Sequence, residues 1–83
     1  MLIPLYGFLQ GDSMSVLVLV HDCDPISLVA DRLQKSATVR VRPRPYADVY
    51  FNGSRLDPLL TVADAKLRPL DRVDVVPREA ARV

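Results

Sequence analysis

From Ser15 to Val20 the chain reads Ser-Val-Leu-Val-Leu-Val, apolar at every position after the first. An extended strand points successive side chains to opposite faces, so Val16, Val18 and Val20 line one face and Leu17 and Leu19 the other. Both faces want burial, and so short a chain has little material with which to cover both sides of a sheet. One set is expected to pack on the chain's own core and the other on a partner. The alternation alone leaves open which set does which; Leu17 and Leu19 are the candidates for the partner-facing role.

Upstream, Leu2 to Gln10 is rich in strand formers and is followed by Gly11-Asp12-Ser13, so the two runs read as a hairpin. After Val20 the chain passes through His21-Asp22-Cys23 to Asp24-Pro25, where Asp24 is read as a helix cap and Pro25 suits a first turn, whose N–H has no partner anyway. Ile26, Val29, Ala30 and Leu33 recur at i, i+3, i+4 and i+7, with Asp31, Arg32, Gln34 and Lys35 among them, which predicts an amphipathic helix of about three turns. Thr38 to Arg42 alternates, but Pro43 and Pro45 restrict it to an edge strand or an extended crossover. Tyr46 to Phe51 reads as a strand closed by Asn52-Gly53, with Arg55 and Leu56 as a short return that Pro58 ends. Thr61-Val62-Ala63-Asp64 resembles a capping box with Asp in place of Glu and predicts a short helix to about Leu67, which Pro69 ends. Asp71 to Val76 alternates as a final strand.

This order of elements predicts an α+β fold of the β-grasp, or ubiquitin-like, kind: a mixed sheet of four to five strands with one main helix and one short one, the first and last strands parallel at its centre. Residues 1–77 then form a single domain and 78–83 a C-terminal tail.

The 83 residues are 49% hydrophobic, which excludes intrinsic disorder and is rich for so small a domain. At this size a single core gives only a few kcal/mol, so burial against a partner would help. Eleven basic and ten acidic residues leave a net charge of +1, with no long-range attraction to nucleic acid or to an anionic membrane. Neither is expected as a partner. Cys23 is the single cysteine, so no internal disulfide forms and a reducing cytoplasm is the expected location. The start lacks a basic n-region and meets Pro4 and Gly7 early, unlike a signal peptide. No apolar run approaches the roughly 20 residues that span a bilayer.

His21, Asp22, Cys23 and Asp24 crowd metal-capable groups into one loop, but there is no second His or Cys to join them and Asp24 has a capping role. The loop is read as structural, with no catalytic, cofactor-binding or metal residues in the chain. Arg40, Arg42 and Arg44 alternate beside Tyr46, so all three project from one side if the segment is extended. Such a row contacts carboxylates of a protein partner, contacts phosphates, or guards a solvated sheet edge. The near-zero net charge favours the first and last of these. Gly7, Gly11 and Gly53 are too scattered for a phosphate loop, and no serine sits in a nucleophile elbow. The end, Arg78-Glu79-Ala80-Ala81-Arg82-Val83, lacks the Gly-Gly through which ubiquitin-like modifiers and sulfur carriers act.

Across nearly its whole length the chain resembles the small gamma, or B, subunit of the hydroxylases of bacterial toluene, aromatic and alkene monooxygenases. Ile3-Pro4, an aromatic and Gly11-Asp12 match the family's Phe-Pro start and first turn, and Val18 to Asp22 resembles its Leu-Val-x-Val-Asp strand end. Ser27-Leu28-Val29-Ala30 is similar to its Met-Asp-x-Val-Ala helix opening, and Val39-Arg40-Val41 with Pro43 to its Val-x-Arg-Arg-Val-x-Pro segment. Leu56 to Leu70 resembles its Leu-Phe-Pro-Arg-x-Met-Thr-Val-x-Glu-x-Gly-Leu-x-Pro run, best at Thr61-Val62, Leu67 and Pro69. Val41 replaces the second Arg, Asp64 the acidic helix residue, and Lys66 a common glycine. The resemblance implies a ubiquitin-like subunit of a dimer of heterotrimers, bound to alpha (large) and beta subunits and served by a ferredoxin, a reductase and an effector protein. It implies a diiron centre in the large subunit, oxidation of an aromatic or alkene substrate with O2 and NADH-derived electrons, and no iron ligands from this chain. The competing expectation is a stand-alone ubiquitin-like interaction module.

Overall fold

The computed structural model describes residues 1–78. Strands β1 (Leu2–Leu9) and β2 (Ser15–His21) form the expected hairpin and lead into helix α1 (Ile26–Ser36). Strands β3 (Tyr46–Phe51), β4 (Ser54–Arg55) and β5 (Arg72–Arg78) complete a five-stranded sheet in the order β2-β1-β5-β3-β4. β1 and β5 run parallel side by side, and every other pairing is antiparallel. The β3–β4 hairpin turns through Asn52 and Gly53, both at positive φ (52° and 79°), as the Asn-Gly pair requires.

α1 lies across one face of the sheet. Ile26, Val29, Ala30 and Leu33 are all buried, as the helical spacing predicts, against Ile3, Leu5, Val18, Val20, Val73 and Val75 of the strands. The two sets of the opening strand are thereby assigned. Val18 and Val20 are 3% and 0% exposed and Val16 packs at the core's margin, while Leu17 and Leu19 are 53% and 46% exposed on the opposite face. Gly7 is where helix and sheet come nearest: a Cβ there would lie 2.8 Å from Leu33 Cδ1.

Four local expectations change. Asp24 does not cap α1; its carboxylate accepts the His21 N–H at 2.8 Å. Pro25 is the N-cap, and the first helical N–H groups donate to carbonyls brought from afar, Ile26 to Leu60 at 2.8 Å and Ser27 to Pro58 at 3.2 Å. Nor does Thr38 to Arg42 form a strand. The chain leaves α1 in further turns, with Arg40 and Val41 N–H on the Ala37 carbonyl and the Thr38 hydroxyl on those of Gln34 and Lys35, so the helix's last carbonyls are satisfied locally.

The capping box does form, Asp64 N–H to Thr61 Oγ1 at 3.1 Å and Thr61 N–H to Asp64 Oδ2 at 3.4 Å, but it opens a single turn and no short helix. Lys66 ends that turn at φ 60°, and Leu67 N–H bonds back to the Val62 carbonyl. This is the left-handed conformation that glycine adopts without steric cost. Finally, β5 runs on through Pro77 to Arg78. The Val75 carbonyl faces β1, where it accepts the Gln10 N–H, and Pro77 faces the same side beyond the end of β1, so no ladder bond is lost. Arg78 therefore belongs to the sheet, and the remainder of the expected tail, 79–83, lies outside the described residues.

Candidate interaction surface

Because α1 covers one face of the sheet, the side chains of opposite parity line the other. Register places Tyr6 beside Leu17, Pro4 beside Leu19 and Leu2 beside His21. Leu2, Tyr6, Leu17 and Leu19 are all exposed, a contiguous apolar patch across β1 and β2 of the kind that marks a docking surface. Of these, Leu2 and Tyr6 are additions to the residues singled out in the sequence. Their parity along β1 carries the signal once the hairpin register is known.

The β5, β3 and β4 side of the same face is polar and self-compensated. Arg72 stacks over the Phe8 ring at 4.0 Å from its centroid and reaches Asp74 at 3.0 Å. Asp48 accepts from Arg55 Nε and Arg78 Nε, each at 3.0 Å, and this carboxylate holds the Arg55 guanidinium above its ordinary pKa. Such exposed pairs add little stability, but they leave little uncompensated charge there. The free edge of β2 is also guarded, since Asp24 takes the His21 N–H and Arg32 Nη1 donates to the Leu19 carbonyl at 2.8 Å. The apolar patch is thus presented by its face and not by its edge.

The expected arginine row does not form, because its segment turns. Arg40 folds back on Asp12, Nε to Oδ1 and Nη2 to Oδ2 both at 2.9 Å, and the Asp12 side chain is only 1% exposed. Arg40 therefore serves as an internal clamp between the β1–β2 turn and the loop after α1. Arg42 and Arg44 remain exposed. The Arg44 backbone is held by the buried side chain of Gln34, which accepts its N–H at 2.8 Å and donates to its carbonyl at 3.1 Å. The helical spacing groups Gln34 with the polar intervening positions, but it is buried and extends the apolar stripe of α1 one position past Leu33. Tyr46, 54% exposed, opens β3 directly opposite Arg78. Arg42, Arg44 and Arg78 share a shallow cavity of about 340 Å3 with Gln10, Gly11, Val41 and Pro77.

The Arg40 hydrogen bonds hold the Asp12 carboxyl below its ordinary pKa of 3.8, against the opposing effect of burial. A depressed folded-state pKa adds stability that is fully present above the unfolded value and disappears as the pH falls through the folded one. Asp22, held low by the Met1 amino group, loses its contribution in the same acid window. The Asp12 share is therefore read by difference: urea midpoints of wild type and Asp12→Asn should lie furthest apart near neutrality and converge as the pH falls below 3.8.

In the loop from His21 to Asp24, Asp24 is occupied by the His21 backbone, Asp22 accepts from the Met1 amine at 2.9 Å, and Cys23 is exposed. Among the described residues no three His, Cys, Asp or Glu side chains converge, and no helix is long and apolar enough to cross a membrane.

Comparison with known proteins adds to this geometry. The family model described as toluene-4-monooxygenase system protein B (TmoB) matches residues 2–76. No individually curated protein matches the sequence. Among solved structures, a chain of the toluene 4-monooxygenase HD complex with the inhibitor 4-bromobenzoate superposes with a TM-score of 0.85 at 26% identity, over 94% of this chain and all of that one. Ubiquitin from Caldiarchaeum subterraneum gives 0.75 at 12% identity, over 99% and 100% of the two chains. A de novo design based on ubiquitin gives 0.79 at 17%, over 99% and 95%. The latter two likenesses concern the fold, which is ubiquitin-like.

Proposed function

The chain belongs to the toluene-4-monooxygenase system protein B family, and from that membership we propose that it is a non-catalytic structural subunit of a diiron monooxygenase hydroxylase. It packs on the large alpha subunit, in an assembly that also holds a beta subunit and is a dimer of heterotrimers. The iron centre belongs to the alpha subunit, and a ferredoxin, a reductase and an effector protein complete a system that oxidises an aromatic or alkene substrate with O2 and NADH-derived electrons.

The observation that carries this reading is the apolar patch of Leu2, Tyr6, Leu17 and Leu19, backed by a family match over nearly the whole chain. A small domain with a modest core presents four large side chains to water as one contiguous patch, which marks a surface that a partner covers. The neighbouring ion pairs on the same face suit the polar rim that surrounds the apolar centre of a stable interface. In this role the chain contributes shape and buried area, and it holds the large subunit in a competent form.

Co-expression with a hydroxylase large subunit from the same genome tests the proposal. The two should copurify in equal amounts through size exclusion, and omission of this chain should lower the yield of folded large subunit. A stable monomer that leaves the large subunit's yield and activity untouched would instead identify a stand-alone ubiquitin-like module.

A further inference from the structure

We propose that the cavity rimmed by Arg42, Arg44 and Arg78 seats an acidic segment of the large subunit, as a second anchor beside the apolar patch. The inference rests on the subunit reading above. Three guanidinium-bearing residues and no acidic one line this cavity. Among the described residues Arg42 and Arg44 have no carboxylate partner, whereas Arg40, Arg55, Arg72 and Arg78 each have one.

The cationic loop is fixed in place before anything binds. Arg40 ties one side of it to Asp12, and Gln34 holds the Arg44 backbone through both the oxygen and the nitrogen of its side-chain amide. Pro43 and Pro45 restrict the backbone between these clamps and the start of β3. A loop whose backbone is ordered in advance loses less entropy on binding, so the exposed guanidinium groups it carries favour association more than the same charges on a floppy segment.

Their forks match carboxylates in geometry as well as in sign. Gly11 lines the cavity at φ 92°, and no atom lies within 4 Å of the position a Cβ would take there. Arg78 stands opposite Tyr46 at the end of β5 and is paired with Asp48, so the uncompensated charge of the cavity is that of Arg42 and Arg44. A net charge of +1 gives the chain no general attraction for polyanions, so the acidic ligand is recognised at this place and not by the molecule as a whole.

The test compares complexes of the large subunit with the wild-type chain and with Arg42→Gln/Arg44→Gln, both followed through a sodium chloride titration by size exclusion. Both substituted side chains are exposed, so the fold should be unchanged by circular dichroism. The double variant should bind about tenfold more weakly at low salt and show a shallower salt dependence, the two complexes converging at high salt, as expected for charged contacts of an interface. Lysine at both positions should restore part of the salt dependence. Equal affinity and equal salt dependence of wild type and double variant would overturn the inference while leaving the subunit reading intact; a wild-type chain that never copurifies would remove the subunit reading itself. If deleting residues 79–83 and the double substitution each lower the isolated chain's urea midpoint clearly and by the same amount, the cavity belongs to the chain's own Glu79, which also overturns it.

Discussion

Leu33→Ala is expected to destabilise the isolated domain by about 3–5 kcal/mol, the upper part of the range for deleting a buried leucine. Native domains hold roughly 0.05–0.15 kcal/mol per residue, which for 83 residues is about 4–12 kcal/mol in all. The substitution therefore removes a large share of the total, and the urea midpoint should fall far or the transition disappear. Leu33 is fully buried where α1 presses on β1, and its methyl groups occupy the space that a side chain at position 7 would need.

The reciprocal change follows from the same contact. Gly7→Ala places a Cβ 2.8 Å from Leu33 Cδ1 and 2.9 Å from Cδ2. The ends of a leucine move easily on a surface, but this one has core on every side, so the clash is relieved only by shifting α1, at about 1–3 kcal/mol. Combining the two changes removes the clash and part of the cavity together, because the new methyl enters space that Leu33 has left. The double variant should accordingly be more stable than the sum of the single costs implies, by about 1 kcal/mol or more. Strictly additive losses would show that the helix-to-sheet distance is not set at Gly7.

How much of this was legible in the sequence follows from the range of each interaction. Strand and helix positions depend on periodicity, a local property, and the apolar recurrence of Ile26, Val29, Ala30 and Leu33 marks the buried face of α1 directly. The Asn52-Gly53 turn and the Thr61–Asp64 capping pair are local too, and both form. Features that depend on distant partners were not legible. Asp24 has every local attribute of a cap, yet the N-terminus of α1 is served by carbonyls of Pro58 and Leu60, over thirty residues away in the chain. Arg40 shares an alternating pattern with Arg42 and Arg44, and only the folded chain shows that Asp12, 28 residues earlier, claims it. The two faces of β2 were visible as two sets of residues from the outset, and their assignment waited on which face α1 would take.

That assignment gives the sharpest test of the proposed role, because neighbours on β2 should fail in different ways. Leu17→Asp puts a charge on the open face, where the folded monomer leaves it in water, so the isolated chain should keep its wild-type stability in urea to within about 1 kcal/mol. In the assembly the same carboxylate is buried against an apolar partner surface without a counter-charge, at a cost of at least about 2 kcal/mol, or roughly thirtyfold in affinity. Tyr6→Ala, directly across the ladder, should weaken the complex in the same sense by removing a large exposed ring from the patch. Val18→Asp, one residue along, buries its charge in the chain's own core and should abolish folding before any partner is present. Denaturation of the isolated variants and copurification with the large subunit separate the two failures. If Leu17→Asp and Tyr6→Ala both copurify as wild type does, the β1–β2 face is not the interface. If they fold normally and fail to copurify, the face that α1 leaves open is the one the large subunit covers.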